Sequence, residues 1–137
     1  AQMAAGMALP TSGTVLLTVN DFDKAAALKL GRDLHRMGFK LVATAGTAAA
    51  LQRVNVPVTA VSKISEGGHH IAAMVDAGEI DLIINTPLGH HAYDDSQTMR
   101  AAAIRHNVPL LTTLSAAQAA VNGIKTLRQH ALEVKPL

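Results

Sequence analysis

The sequence predicts an α/β domain: a three-layer open sheet of five mainly parallel strands, with helices on both faces. Three observations lead to this prediction. Strand and helix patterns alternate along the 137 residues. The strand segments are continuous apolar runs, as expected of parallel strands that helices cover on both sides. Hydrophobic residues make up 49% of the chain and aromatic residues only 2%, so the core consists of aliphatic side chains, which suit helices packed on a sheet.

The strands are predicted over residues 14–19, 40–43, 58–61, 81–85 and 108–111. The helices are predicted over residues 22–37, 47–54, 70–77, 94–106 and 115–127. In the first helix either Asp21 or Asp23 is expected to be the cap, and Gly38 is expected to end the helix. Its apolar face consists of Ala27, Leu30, Leu34 and Met37.

The later helices carry their own start and stop signals. Gly78 is expected to close the third helix and Ser115 to cap the last one. Asp94-Asp95-Ser96 is expected to open the fourth helix, with acids in its first turn and bases near its end. Residues 62–68 are predicted to form a loop, and residues 86–91 a turn.

Composition indicates how the chain is divided and which cellular compartment it suits. We interpret residues 1–13, rich in Ala, Met and Gly, as a linker from a preceding domain, residues 14–130 as the functional domain, and residues 131–137 as a tail. The chain contains no cysteine, which excludes a disulfide scaffold and a thiolate nucleophile and fits a reducing cytoplasm.

Composition also excludes two classes of partner. The net charge is +2, without a basic cluster, and aromatic rings for base stacking are scarce, so nucleic acid is not expected as a partner. No apolar run approaches the roughly 20 residues that span a bilayer, so no membrane partner is expected either.

The segment Thr44-Ala-Gly-Thr47 predicts an anion site. It reads as the end of a buried strand, a tight turn through Gly46, and a helix opened by Thr47. The start of a helix presents free backbone N–H groups and a partial positive charge, which together suit a phosphate. The alternative is that Gly46 only makes the turn and Thr47 only caps the helix.

Two further strand ends carry similar polar residues. In an open parallel sheet, ligands bind beyond the carboxyl ends of the strands, where the strand order reverses. If the first and fourth strands are neighbours there, the turns at residues 18–24, 44–47 and 85–89 converge.

The residues of these turns suit different parts of one ligand. Lys24 lies in the first turn of its helix, where a cation opposes the helix dipole and costs stability. An anion bound between Lys24 and Gly46 would explain a lysine at this position. Lys63 is within reach of the same crevice, and Asn85 and Thr86 suit a base or sugar edge. For the two lysines, a solvated surface role is the alternative.

Catalytic and cofactor motifs are absent. The chain has neither a Walker loop nor a dinucleotide fingerprint, so no cofactor is predicted. The pairs His69-His70 and His90-His91 lack the spacing of metal ligands, so no metal is predicted. Asp21 and Asp23 are accounted for as helix caps, and the other two turns of the crevice contain no carboxylate. A phosphate-sized site without a general base indicates binding without catalysis.

The motifs resemble those of the methylglyoxal-synthase-like domain, and most of all the C-terminal allosteric domains of carbamoyl-phosphate synthetase large subunits. The resemblance covers about residues 13–127 in order and spacing. It is carried by Thr18-Val-Asn-Asp-Phe-Asp-Lys24, Gly38-Phe-Lys-Leu-Val-Ala-Thr-Ala-Gly-Thr47, Val61-Ser-Lys63, Ile83-Ile-Asn-Thr86, Asp95-Ser96 and Leu111-Thr-Thr113.

The resemblance implies a regulatory role without catalysis by this chain, inside a ligase of arginine and pyrimidine biosynthesis. It implies UMP as an inhibitor and IMP as an activator, an adjoining ornithine site at Thr112, and contacts with the rest of the large subunit and with the small glutaminase subunit. The residues implied for the phosphate and ribose are Thr18, Lys24, Thr44, Gly46, Thr47 and Lys63, with Asn85 and Thr86 nearby.

Two departures from the family pattern leave alternatives open. Pro87-Leu88 and His90-His91 replace a more polar, Arg-bearing turn, which leaves the identity of the effector open. Thr86 and His69 stand where methylglyoxal synthase has its essential carboxylates, which argues against that reaction. A free-standing methylglyoxal synthase or related phospho-sugar lyase is nevertheless the enzymatic alternative. A module that only docks subunits is the third hypothesis.

Overall fold

The computed structural model describes residues 9–61, 70–86 and 90–133, with the backbone alone within 90–95 and 131–133. The strands are β1 (Thr14–Val19), β2 (Lys40–Thr44), β3 (Thr59–Val61), β4 (Leu82–Thr86) and β5 (Leu110–Leu111). The helices are α1 (Lys24–Arg36), α2 (Ala45–Arg53), α3 (Ile71–Asp76), α4 (His90–His106) and α5 (Leu114–Glu133), and a short 3-10 turn (Asp21–Asp23) precedes α1.

The five strands form one sheet in the order β3-β2-β1-β4-β5, and every neighbouring pair is parallel. The predicted α/β class is therefore confirmed. The central pair is β1 and β4, in the register that places Thr18 beside Asn85 and Val19 beside Thr86. The strand order reverses at this pair, as the argument for converging turns required.

Helices cover both faces of the sheet, giving the predicted three layers. On one face α1, α2 and α5 pack through a core that includes Leu17, Leu51 and Val121. On the other face α3 and α4 pack through a core that includes Leu16 and Met99. Neighbouring residues of β1 thus enter opposite cores, because side chains alternate along a strand, and this explains why the run is apolar without interruption.

Several helix boundaries differ from prediction because of local hydrogen bonding. Asn20, rather than Asp21 or Asp23, caps the turn after β1: its side-chain oxygen accepts the N–H of Asp23 at 3.0 Å. Asp23 gives α1 no side-chain cap. The cap of α5 is Thr113 rather than Ser115, since the Thr113 hydroxyl accepts the N–H of Ala116 at 3.1 Å.

The last two helices are also longer than predicted. Helix α4 begins at His90, so Asp94-Asp95-Ser96 does not open it and no acid lies in its first turn. No Gly or Pro follows Gly89 until Pro109, so nothing in the sequence delays the helix. For the same reason α5 continues beyond residue 127 to Glu133.

The predicted helix-ending glycines are confirmed. Gly38 and Gly78 have φ angles of 92° and 77°, a left-handed conformation that glycine adopts without strain. No helix in the described part of the chain is long and apolar enough to cross a bilayer.

Candidate functional site

The carboxyl ends of β1, β2 and β4 bring three predicted site residues together. The Thr44 hydroxyl lies 3.3 Å from that of Thr18, and Thr18 pairs in register with Asn85. Each of the three follows, by two residues, an apolar residue of the core that α3 and α4 cover. Side chains two positions apart in a strand point to the same face, so the three polar side chains lie on that face of the sheet. The edge of the sheet therefore carries a small polar patch from three strands.

Lys24 reaches this edge from the start of α1. Its ammonium donates to the backbone oxygen of Val19 at 3.2 Å and to Asp21 Oδ1 at 2.6 Å. The side chain is only 23% exposed. A Cβ built on Gly46 would lie 3.6 Å from its Nζ, so the two residues are neighbours, as the convergence of the turns predicted.

The start of α2 differs from the prediction. The helix begins at Ala45, two residues earlier than expected, because Thr44 stays extended and leads from strand into helix without an intervening turn. Gly46 lies in the first helical turn and has no positive φ angle, so it makes no tight turn. Its missing side chain instead leaves space beside the Lys24 ammonium.

Thr47 does not cap α2. The residue is 2% exposed, and its hydroxyl accepts the N–H of Val19 at 3.3 Å and donates to the Val19 oxygen at 3.5 Å. Thr47 thus ties α2 to the end of β1. Thr44, at the N-cap position, provides no side-chain cap either. The Thr44 side chain therefore leaves the first N–H groups of α2 uncapped. These groups lie at the amino end of the helix, which carries the positive end of the helix dipole.

Asn20 organises the edge and was not predicted as a site residue. Its backbone N–H donates to Thr86 Oγ1 at 3.0 Å, and its side-chain amide donates to the Thr86 oxygen at 3.2 Å and to Asp23 Oδ2 at 2.9 Å. It therefore joins the ends of β1 and β4 and holds the turn that carries Lys24. An Asn directly after a strand and three residues before an Asp was the available signal.

The two carboxylates after β1 were predicted to cap the first helix, but in the structure they bind other side chains. Asp23 accepts the Asn20 amide, and Asp21 forms an ion pair with Lys24. The Asp21 side chain is 94% exposed at the edge of the sheet. Neither aspartate caps a helix, so the exposed Asp21 carboxylate remains available at this edge.

Asn85 and Thr86 are each 5% exposed. The Asn85 amide donates to the Ser96 hydroxyl of α4 at 2.7 Å, and the Thr86 hydroxyl accepts from Asn20. Ser96, predicted as part of a helix start, instead anchors α4 to β4. In this structure both predicted ligand side chains have protein partners.

The remaining predicted residues are placed only in part. Thr112 follows β5 and is exposed at the same edge of the sheet. Lys63, His69, Pro87 and Leu88 lie outside the described residues. His90 and His91 belong to the first turn of α4.

Two further features of the described chain lie away from Lys24 or have a structural role. An open groove of about 410 Å³ lies at the opposite, amino edge of the sheet, where Lys40 and Thr59 begin β2 and β3. His70 caps α3 by accepting the N–H of Ala73 at 3.3 Å. Among the described residues no three His, Asp or Glu side chains gather as a metal site would require.

Comparison with curated proteins gives relatives over the whole chain. The large chain of carbamoyl phosphate synthase from Acidobacterium capsulatum is 42% identical over 137 residues, which is all of this chain and 12% of the relative. The C-terminal section of that large chain from Methanopyrus kandleri is 43% identical, again over all of this chain and over 26% of the relative. The chain thus spans a small fraction of the length of these relatives.

Solved structures share the fold. Methylglyoxal synthase from Elizabethkingia anophelis superposes with a TM-score of 0.65 at 20% identity, covering 82% of this chain and 79% of the other. ForH superposes with a TM-score of 0.59 at 18% identity, covering 87% and 81%. At this identity the likeness concerns the fold alone. The family model described as the MGS-like domain matches residues 26–112, which is more than half of the sequence, and the chain therefore belongs to the MGS-like domain family.

Proposed function

We propose that this chain is the allosteric regulatory domain of a carbamoyl-phosphate synthase large chain and binds nucleoside monophosphates without transforming them. The observation that carries the proposal is the position of the Lys24 ammonium beside Gly46, at the amino end of α2. An ammonium group and a helix N-terminus are two independent sources of positive potential for one phosphate.

The rest of the nucleotide would extend over the polar patch at the ends of the strands. In this proposal Thr18, Thr44 and Thr47 support the phosphate and ribose side together with Lys63. Asn85 and Thr86 lie toward the base or sugar edge. Both already hydrogen-bond within the protein, so contact with a ligand would use their remaining donor or acceptor capacity or exchange a partner. UMP as inhibitor and IMP as activator are the effectors proposed.

The regulatory mechanism follows from linkage. An effector shifts the activity of the larger enzyme only if it binds two arrangements of that enzyme with different affinity. Residues 14–130 would form the regulatory domain and residues 1–13 the linker from the preceding domain. The proposed partners are the rest of the large chain, the small glutaminase subunit, and ornithine near Thr112. The proposed setting is the cytoplasm, where the ligase serves arginine and pyrimidine biosynthesis.

Calorimetric titration of the chain with UMP and with IMP tests the proposal. We expect saturable binding of at least one nucleotide, weakened about tenfold or more in Lys24→Met, since hydrogen bonds to charged groups contribute about 1.5–3 kcal/mol. Lys29→Met is the matched control, because Lys29 is an exposed lysine of the same helix, paired with Asp33 at 3.2 Å. Absence of binding to both nucleotides would leave the docking module as the better hypothesis.

One observation favours the enzymatic alternative, a methylglyoxal synthase or related phospho-sugar lyase. The Asp21 carboxylate lies exposed at the predicted phosphate site, 2.6 Å from Lys24. A general base needs such a position. Incubation with dihydroxyacetone phosphate decides this question, because the alternative predicts release of methylglyoxal that Asp21→Asn abolishes, whereas the regulatory proposal predicts none.

A further inference from the structure

The ion pair between Asp21 and Lys24 joins two side chains in very different surroundings. The distance from Lys24 Nζ to Asp21 Oδ1 is 2.6 Å. The Lys24 side chain is 23% exposed and is fixed at the sheet edge by a second bond to the Val19 oxygen, whereas the Asp21 side chain is 94% exposed. The cation is therefore held in place, and the carboxylate approaches it from the solvent.

An ion pair with so exposed a partner is weak. Exposed pairs contribute little net free energy, because water solvates the carboxylate nearly as well as the ammonium does. A phosphate at the same ammonium would also accept N–H groups from the start of α2, because Gly46 in the first turn of that helix lies beside Lys24. Two anions at one ammonium repel each other, so the phosphate and the Asp21 carboxylate compete for Lys24.

We infer that Asp21 is an internal counter-ion of Lys24 which an incoming phosphate must displace, and that this residue sets the affinity of the site. The inference rests on the proposed phosphate site and adds a determinant of its strength. The alternative is that Asp21 only orients Lys24 for the ligand, and the two roles predict opposite changes in affinity when Asp21 is removed. Removing an orienting group weakens binding, whereas removing a competitor strengthens it.

The experiment compares the wild-type chain with Asp21→Asn, a substitution that keeps the size of the side chain and removes its charge. Inorganic phosphate and UMP are titrated separately, by calorimetry and by following the Gly46 amide in ¹H–¹⁵N spectra. We expect Asp21→Asn to bind both about fivefold more tightly, and the gain to shrink at high salt as screening weakens the competing charge.

The matched control is Asp76→Asn, which removes the same charge from an exposed ion pair in the α3/α4 layer. We expect its phosphate affinity to stay within about twofold of the wild type, because the site is remote. An equal gain in Asp76→Asn would mean that net charge alone is responsible, and the inference would be wrong.

The remaining outcomes separate the inference from the proposed function. Nucleotide binding that is unchanged or weaker in Asp21→Asn overturns the inference and leaves the proposed function in place. Tighter inorganic phosphate binding in Asp21→Asn, without any UMP or IMP binding, supports the inference and overturns the proposed effectors. If neither protein responds to phosphate at tens of millimolar while both give folded spectra, the inference is overturned as well.

Discussion

Lys24 and Gly46 face each other at the carboxyl edge of the sheet, although 22 positions separate them: a Cβ on Gly46 would lie 3.5 Å from Lys24 Cε. This contact joins the start of α1 to the start of α2. A lysine in the first turn of a helix opposes the helix dipole, so its placement beside a second helix start calls for a nearby anion. In the structure that anion is the Asp21 carboxylate.

Gly46→Ala is expected to separate stability from binding. An added Cβ would meet Lys24 only at ordinary contact distances of 3.5 and 3.6 Å, and alanine favours helix, so stability should be unchanged or rise by about 0.5 kcal/mol. The methyl group would also occupy the space beside the ammonium, so UMP and phosphate affinity should fall severalfold. Urea denaturation and calorimetry measure the two quantities, and an unchanged affinity would place the anion elsewhere.

Gly31→Ala is expected to have the opposite effect on stability. A Cβ there would lie 2.6 Å from Leu51 Cδ2, and Leu51 is fully buried, so this methyl group can move aside only by repacking against its neighbours in the core. Overpacking should cost about 1–3 kcal/mol despite the better helix propensity of alanine. Urea denaturation checks this, with Gly46→Ala as the matched helical control. Equal stability of the two variants would show that the Leu51 side chain repacks at little cost, and the predicted overpacking would be wrong.

Thr47→Val should lower both stability and affinity. Valine has nearly the same shape but leaves the Val19 N–H without its hydroxyl acceptor, so we expect a loss of about 1–3 kcal/mol in the free energy of unfolding. Phosphate affinity should fall by about 1–3 kcal/mol as well, because a polar group of the proposed site is lost.

The control for Thr47→Val is Thr126→Val, since the Thr126 hydroxyl is exposed and donates only within α5, to the Asn122 oxygen. Thermal melts should show a much smaller loss for this variant. A similar loss in both would mean that burial of the Thr47 hydroxyl adds nothing.

The pair of helices α3 and α4 should be sensitive to acid through Asp76. The Arg105 side chain donates to this carboxylate at 2.8 Å, and that hydrogen bond, with smaller contributions from the charge of Arg105 and from His106, lowers the pKa of Asp76 below its ordinary 3.8 despite partial desolvation. A lowered pKa in the folded state means that the contribution to stability is complete above pH 3.8 and is lost as the pH falls through the folded-state value.

We therefore expect Asp76→Asn to melt at a lower temperature than the wild type at neutral pH, and the two melting curves to converge in strong acid. Arg105→Gln should show the same convergence, because it removes the other half of the pair. A difference in melting temperature that persists below the folded-state pKa would mean that the charge of Asp76 is not its source.

The candidate site could be predicted from the sequence only where a residue's environment follows from its neighbours along the chain. Lys24 and Gly46 were expected together because each follows a strand, and parallel strands end at one edge. The partners of Asn20 and Asn85 were not predictable in this way. Asn20 binds Thr86 and Asn85 binds Ser96, contacts that depend on the order of strands and on the packing of α4.

The sequence by itself determined the alternation of strands and helices, the apolar core and the ends of helices at Gly38 and Gly78, because propensity, periodicity and glycine geometry act within a few residues. Only the tertiary structure decided that Thr47 binds the end of β1, that Asp21 pairs with Lys24, and which strands are neighbours. A polar side chain has several possible partners of similar strength, and the chosen one is the partner that packing of the apolar layers brings within reach.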